Sequence, residues 1–211
     1  MEIFPLGHAS FKLRGKLATV VTDPYDEKVV GIKFPKHTEA DILTISHNHA
    51  DHNAKISVGG NPFVVEGAGE YEIKGISIIG VSSFHDETNG ADRGKNTMYR
   101  IEIDGVRVLH LGDLGHVLSS AQVDVLDGID VLFIPVGGVY TIDAEKAAQV
   151  ISDLEPRIVI PKHYGTDTYN KNLAPVSVFL KHMGKESVVP VPKLTVSRDK
   201  LPAEMQVVVL E

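Results

Sequence analysis

The stretch Ala40–His52, ADILTISHNHADH, decides how the rest of the chain is read. Its first half, ADILTIS, is a β-rich run closed by serine and predicts a buried strand. Its second half places His47, His49, Asp51 and His52 within six positions. Neutral imidazole nitrogens and carboxylate oxygens are the donors that borderline divalent cations take. Alternate residues of an extended backbone point the same way, so His47 and His49 can reach one cation. Asp51 and His52, where the loop turns, can point to a neighbouring one. Four residues cannot complete two such sites, so the remaining donors must come from elsewhere in the chain.

Layered α/β folds collect ligands at the carboxyl ends of strands, where loops are shaped without disturbing the core. Three residues fit that place. His85 follows ISIIGVSSF, Asp113 follows VRVLHLG and His163 follows RIVIP. Gly112, just before Asp113, permits close backbone approach. Asp113 is expected to bridge two cations, the plainer alternative being a turn cap within HLGDLG. A structural histidine at a strand end is the plainer alternative for His85 and His163, and a solvated polar loop for the opening cluster. Histidine this dense favours ligation. Asp23 closes VVTDP and is read two ways. It is either an acceptor holding a ligating histidine in the right tautomer or an Asp-Pro turn signal. Of the other histidines, His8 follows Gly7 in a tight turn, and His37 and His182 are expected to be exposed. His110 is expected to be packed inside a strand. His116 follows the Asp113 loop and is placed to face the pocket.

Composition narrows the function classes. The chain has 211 residues, 43% hydrophobic and 23% charged, which suits one domain spanning 1–211 with a packed core. There is no cysteine, so any metal is held by histidine and carboxylate. The net charge of -7 argues against a nucleic-acid partner, whose phosphates call for basic excess. MEIFPLGHASF lacks the basic and apolar regions of a signal peptide, and no run is long enough to span a membrane. A cytoplasmic protein without a membrane partner is expected, and the oligomeric state, homo-oligomer included, is left open.

The amino-terminal half predicts many short strands: FKLRG, LATVVTDP, ADILTIS and two or three within PFVVEGAGEYEIKGISIIGVSSF. TMYRIEIDGVRVLHLGD predicts a hairpin turning at Asp104-Gly105. The second half alternates. IDVLFIPV and RIVIPKHYG predict buried strands. A helix is predicted by the spacing of Ala144, Ala147, Ala148, Ile151 and Leu154, capped by Asp143 and ended by Pro156. VSVFLKHMG predicts a short helix ending at Gly184, and KLTVS and MQVVVLE predict late strands. Two packed sheets with helices outside would accommodate this order.

SHNHADH resembles the HxHxDH signature of the metallo-β-lactamase superfamily. Asp23, the 47–52 cluster, His85, Asp113 and His163 follow that superfamily's motifs in order. The resemblance runs over essentially the whole chain. GHASFKLRGK, VTDPYD, RGKNTMYRIEIDGVRVLHLGDLGHVL, DVLFIPVGGVYTIDAEKA and IVIPKHYGT resemble a small Zn-dependent hydrolase branch related to the L-ascorbate-6-phosphate lactonase group. The resemblance implies a four-layer αββα sandwich of two mixed sheets, classed α/β or α+β. It implies that His47, His49 and His85 hold a first metal and Asp51, His52 and His163 a second, with Asp113 between them. Two positions depart: Lys162 stands where relatives often have Met, and Gly165 where they often have Lys.

The expected activity is that of a dinuclear metal hydrolase acting on a small ester, lactone or phosphate ester. Zinc, with manganese or iron as alternatives, brings the pKa of bound water to about 7 and so supplies hydroxide. Asp51 and Asp113 would orient that hydroxide, and Tyr164, Lys162 and His116 are candidate hydrogen-bond donors or acids. Gly137 and Gly138 form either an oxyanion wall or a plain strand-to-helix loop. The competing readings are a nuclease or phosphodiesterase on the same scaffold and a non-catalytic metal-dependent binding protein.

Overall fold

The run VLFIPV, Val131–Val136, is apolar at every position because its strand is buried on both faces. Val131 and Phe133 enter one hydrophobic cluster, and Leu132 and Ile134 enter another. The same division recurs in RIVIP, where Ile158 and Ile160 face the first cluster and Val159 the second. Such continuous apolar runs follow when parallel strands are covered from both sides.

The computed structural model describes residues 1–211. The chain runs β1 (Glu2–Gly7), β2 (Ser10–Arg14), β3 (Thr19–Thr22), α1 (Glu27–Val30), β4 (Ile42–Ile45), β5 (Phe63–Glu66) and β6 (Gly69–Ile73). It continues through β7 (Ile76–Phe84), β8 (Lys95–Ile103), β9 (Val106–His110), α2 (Ser120–Leu126), β10 (Val131–Pro135), α3 (Ala144–Leu154) and β11 (Ile158–Lys162). It closes with α4 (Val176–His182), β12 (Leu194–Thr195) and β13 (Gln206–Val207).

The strands form two mixed sheets, ordered β12-β1-β2-β3-β4-β5 and β13-β11-β10-β9-β8-β7-β6. In the first, β1 to β3 pair antiparallel and β3 to β5 parallel. In the second, β6 to β9 are antiparallel, and β9, β10, β11 and β13 are parallel. Ile3, Phe11, Leu13, Val20 and Ile42 of the first sheet pack against Ile78, Ile101, Val108 and Phe133 of the second. The helices α2, α3 and α4 cover the second sheet's outer face. Over the first sheet's outer face lie the single turn of α1 and loop residues before and after it, among them Tyr25, Phe34, Ala40 and Val58. This is the αββα arrangement, with one helical layer nearly reduced to loop.

Local chemistry explains the elements that matter. Asp143 caps α3 by accepting from Lys146 N–H, as its position in the sequence predicts. The helix buries Ala144, Ala147, Val150, Ile151 and Leu154, with Val150 taking the inward place expected of Ala148. It stops at Glu155, which adopts φ 46°. The Asp104-Gly105 turn has positive φ at both residues, as a two-residue hairpin requires. Three elements are not predicted by the sequence pattern: β1, the single turn of α1, and α2. β1 carries Pro5 and a register shift between Pro5 and Gly7 that break its pattern, and α2 is a two-turn helix closed by a Ser119–Gln122 capping box. No helix is long and apolar enough to cross a membrane.

Candidate metal centre

Six strands of the two sheets end on one edge, and each hands a polar residue to it. His8 follows β1, Asp23 follows β3, and His47 comes two residues after β4. His85 follows β7, Asp113 comes three residues after β9, and His163 follows β11. The strand-end rule thus locates the cluster, and the tertiary structure closes it. Donor atoms within 4.8 Å of one another form three groups: His47/His49/His85, His8/Asp51/His52/His163 and His47/His52/Asp113.

Asp113 lies at the centre. Its Oδ2 is 3.1 Å from His52 Nε2, 3.1 Å from His163 Nε2 and 3.4 Å from His85 Nε2. Its other oxygen turns to the protein, 3.5 Å from the buried Nζ of Lys162, which also donates to Gly112 O at 2.5 Å. Asp113 N–H donates to Asn96 Oδ1, and Asn96 in turn donates to Leu111 O. Gly112 is required here. It has φ 55°, and a Cβ would lie 2.2 Å from Asn96 Oδ1 and 2.6 Å from Ser46 Cβ.

Asp23 organises the first strand end. Its carboxylate accepts from Ser46 N–H at 2.8 Å, from Ser46 Oγ at 2.5 Å and from His52 Nδ1 at 3.0 Å. Ser46 Oγ also meets His47 Nδ1 at 2.9 Å. With its own proton given to Asp23, that hydroxyl accepts from His47. Both rings therefore turn their protonated Nδ1 inward and aim Nε2 at the cluster, where it is a lone pair whenever the ring is neutral.

Burial and charge set the protonation of the metal-free site. Burial holds His47 down to about 3 and His8 down to about 4, and lowers His85. Burial also opposes a charge on His52, but Asp113 and Asp23 outweigh it and push this ring up to about 10. Asp113, Asp51 and Asp23 stay ionised well below the usual carboxylate range. Burial works against each, and the surrounding imidazoles overcome it. Burial likewise pushes the Lys162 ammonium downward, although Asp113 and Asp23 pull it back.

The arrangement fits a divalent cation. Nε2 of His8, His47 and His52 and Nδ1 of His85 and His163 are buried without hydrogen-bond partners. An orphaned buried polar group costs about 1–3 kcal/mol, and the unpartnered nitrogens of His47, His52, His85 and His163 around two carboxylates suit a cation site. His49 is exposed and Asp51 half-exposed, so the edge opens to solvent on their side.

The other candidates fall in several places. Lys162 is wholly buried beneath Asp113. Tyr164 packs into the cluster under the helices and lines a cleft with Pro5, Gly7, Ile32 and Tyr169, where burial raises its phenol. Both ring nitrogens of His116 are engaged by backbone: Phe84 N–H donates to Nε2, and Nδ1 donates to Val117 O. His110 is buried, with Nε2 3.0 Å from Ala9 O, while His37 and His182 are exposed. Gly138 N–H is taken by Ile142 O, and a Cβ on Gly137 would lie 2.2 Å from His163 O. Three residues of the assembly are given no site role by the sequence pattern: His8, Ser46 and Asn96. The signal for His8 was present: it too is a histidine directly after a strand, but that strand's pattern is broken by Pro5.

Two mixed sheets face to face, with histidines and aspartates gathered on one edge, define a metal-dependent hydrolase of the metallo-β-lactamase superfamily. The chain belongs to the family described as the Beta-lactamase superfamily domain, which it matches over residues 2–163. It is 31% identical over 187 residues to a UPF0173 metal-dependent hydrolase of Thermococcus onnurineus, covering 76% of this chain and 83% of that one. A UPF0173 metal-dependent hydrolase of Thermoplasma acidophilum is 30% identical over 191 residues, covering 79% and 84%. Among solved structures, a protein of Thermotoga maritima described as a Zn-dependent hydrolase of the same superfamily is 40% identical. It superposes with a TM-score of 0.83, covering 99% of this chain and 97% of the other.

Proposed function

We propose that the protein is a dinuclear metal hydrolase acting on a small ester, lactone or phosphate ester. His47, His49 and His85 would hold one cation, Asp51, His52 and His163 the other, and Asp113 would stand between them. The observation that carries this reading is the position of Asp113 Oδ2, within 3.4 Å of nitrogens from both ligand sets. Two cations, zinc first and manganese or iron as alternatives, supply Lewis acidity and an acidified water when bound.

The chain's own residues do the rest. Asp23 keeps His52 in the tautomer whose Nε2 is free, and through Ser46 does the same for His47. Lys162 holds Oδ1 of Asp113, which leaves Oδ2 to the centre. Substrate would enter past His49 and Asp51, the solvent-facing donors. The net charge of -7 favours a small substrate over a long polyanion.

Metal analysis of protein purified without added metal tests the reading directly. About two ions per chain are expected, falling to about one in His49→Ala and in His163→Ala. The preparations are then offered a panel of activated phosphodiesters, phosphate esters and lactones. Wild-type protein that takes up no second ion would end the dinuclear proposal, and loaded protein inert on the whole panel would end the hydrolytic one.

A further inference from the structure

His8 sits inside the ligand cluster, yet its ring is presented differently from the others. It is the residue after β1, its side chain is 2% exposed and its φ is 54°. A left-handed backbone is unfavourable for a residue with a Cβ, so the surrounding structure must hold it there. The hold is visible. His163 N–H donates to His8 O at 3.3 Å, and the ring lies 4.6 Å from the His163 ring and 5.1 Å from the His52 ring.

The tautomer decides what this ring does. Nδ1 of His8 lies 2.9 Å from Asn170 Nδ2. An amide nitrogen only donates, so Nδ1 is the acceptor and carries no proton. In a neutral imidazole the proton is then on Nε2. That atom is buried, has no hydrogen-bond partner and lies 3.3 Å from Asp51 Oδ2. A nitrogen that carries its proton cannot coordinate a cation. His47 and His52 are arranged the opposite way, with Nδ1 turned to the protein as donor.

Asp51 is the carboxylate most in need of such a donor. Asp113 is steadied by Lys162 and Asp23 by Ser46. Asp51 is 29% exposed and has only His8 and His52 within ion-pair reach, the latter at 3.7 Å. We propose that His8 is a positioning residue that donates Nε2–H to Asp51 and so aims this carboxylate at the second cation, without being a ligand itself. This rests on the dinuclear reading above. A small turn of the carboxylate completes the hydrogen bond, and Asn170, 162 residues away in sequence, sets the donor.

The test uses metal affinity rather than turnover. Zinc binding to wild type, His8→Ala and His8→Gln is measured by chelator competition, and Co(II)-loaded samples are compared by visible absorption. His8→Ala is expected to keep both ions but to hold the second about 10–100-fold more weakly, as loss of a partner to a ligand does. His8→Gln offers an amide N–H at the same place and should recover most of that affinity. Band positions of the Co(II) protein should be the same in all three, because the ligands are unchanged. Wild-type affinity in His8→Ala overturns the proposal. So does loss of the second ion with a changed Co(II) spectrum in both variants, as in His163→Ala, since His8 would then be a ligand. Wild-type protein that never takes a second ion sinks the dinuclear reading itself, a result distinct from both. Should His8→Ala fail to fold, Asn170→Ala removes the tautomer lock from a partly buried loop position. It should weaken the second ion with His8 in place, and unchanged affinity there overturns the proposal equally.

Discussion

Oδ1 of Asp113 faces the ammonium of Lys162 at 3.5 Å, with both side chains buried. Replacing a whole buried ion pair by apolar groups is often neutral, but removing one partner is not. Lys162→Met leaves Asp113 Oδ1 and Gly112 O without their donor. The metal-free variant is expected to lose about 1–3 kcal/mol in denaturant titrations. Wild-type stability would show that the ammonium contributes nothing to holding the carboxylate.

Asp23 serves Ser46 twice and His52 once. Asp23→Ala strands these donors where water does not reach. It should cost about 3–5 kcal/mol of stability, as breaking a buried charged network does. It should also weaken metal binding about 10–100-fold, because His52 and His47 lose the contacts that orient them. Chelator competition on folded variant checks the second effect separately. Unaltered affinity would leave Asp23 as a turn residue only.

The histidines give the metal-free protein a pH profile with two limbs. His8, His47 and His110 are pushed down by burial to about 4, about 3 and about 4, from an ordinary value of 6.5. The unfolded chain takes up protons near 6.5 that the folded chain refuses, so stability falls as pH drops from 6.5 toward 4. The depressed carboxylates of Asp23, Asp51 and Asp113 extend that loss further into acid. For His52, burial opposes the charge but Asp113 and Asp23 raise it to about 10. Its contribution is complete below 6.5 and disappears as pH rises through 10. Thermal melts in chelator should therefore peak near neutrality. Added metal should flatten the alkaline limb, since a ligating His52 has already given up its proton. An alkaline limb unchanged by metal would remove His52 from the ligands.

Gly112 and Gly94 make a controlled pair. Both have positive φ, but only at Gly112 would a Cβ collide, 2.2 Å from Asn96 Oδ1. Gly94→Ala meets nothing within 4 Å and should cost about 1 kcal/mol for its backbone alone. Gly112→Ala adds overpacking, a further 1–3 kcal/mol or so. It should also loosen metal by moving Asp113. Equal losses in the two variants would show that the Asp113 loop tolerates displacement.

The legible part of this protein lies in short-range pattern. The 47–52 cluster, the apolar runs of β10 and β11 and the Asp143-capped α3 are written within a few residues each. His85, Asp113 and His163 could be named because each stands within three residues of the end of a strand-like run. Where Pro5 interrupts the pattern, β1 is not predicted, and His8 reads only as a turn residue after Gly7. Asn96 lies just before the predicted hairpin and nothing in the pattern gives it a role, although it holds the backbone of the Asp113 loop.

By itself the sequence determined the donor types and their places at strand ends, because apolar periodicity and turn residues mark where strands stop. Only the tertiary structure decided which ends meet. It brought His8 beside Asp51, buried Lys162 under Asp113 and tied both nitrogens of His116 to backbone. These depend on contacts between residues far apart in the chain, as between His8 and Asn170. Such contacts form when two sheets pack and their edges align, and no local periodicity records them.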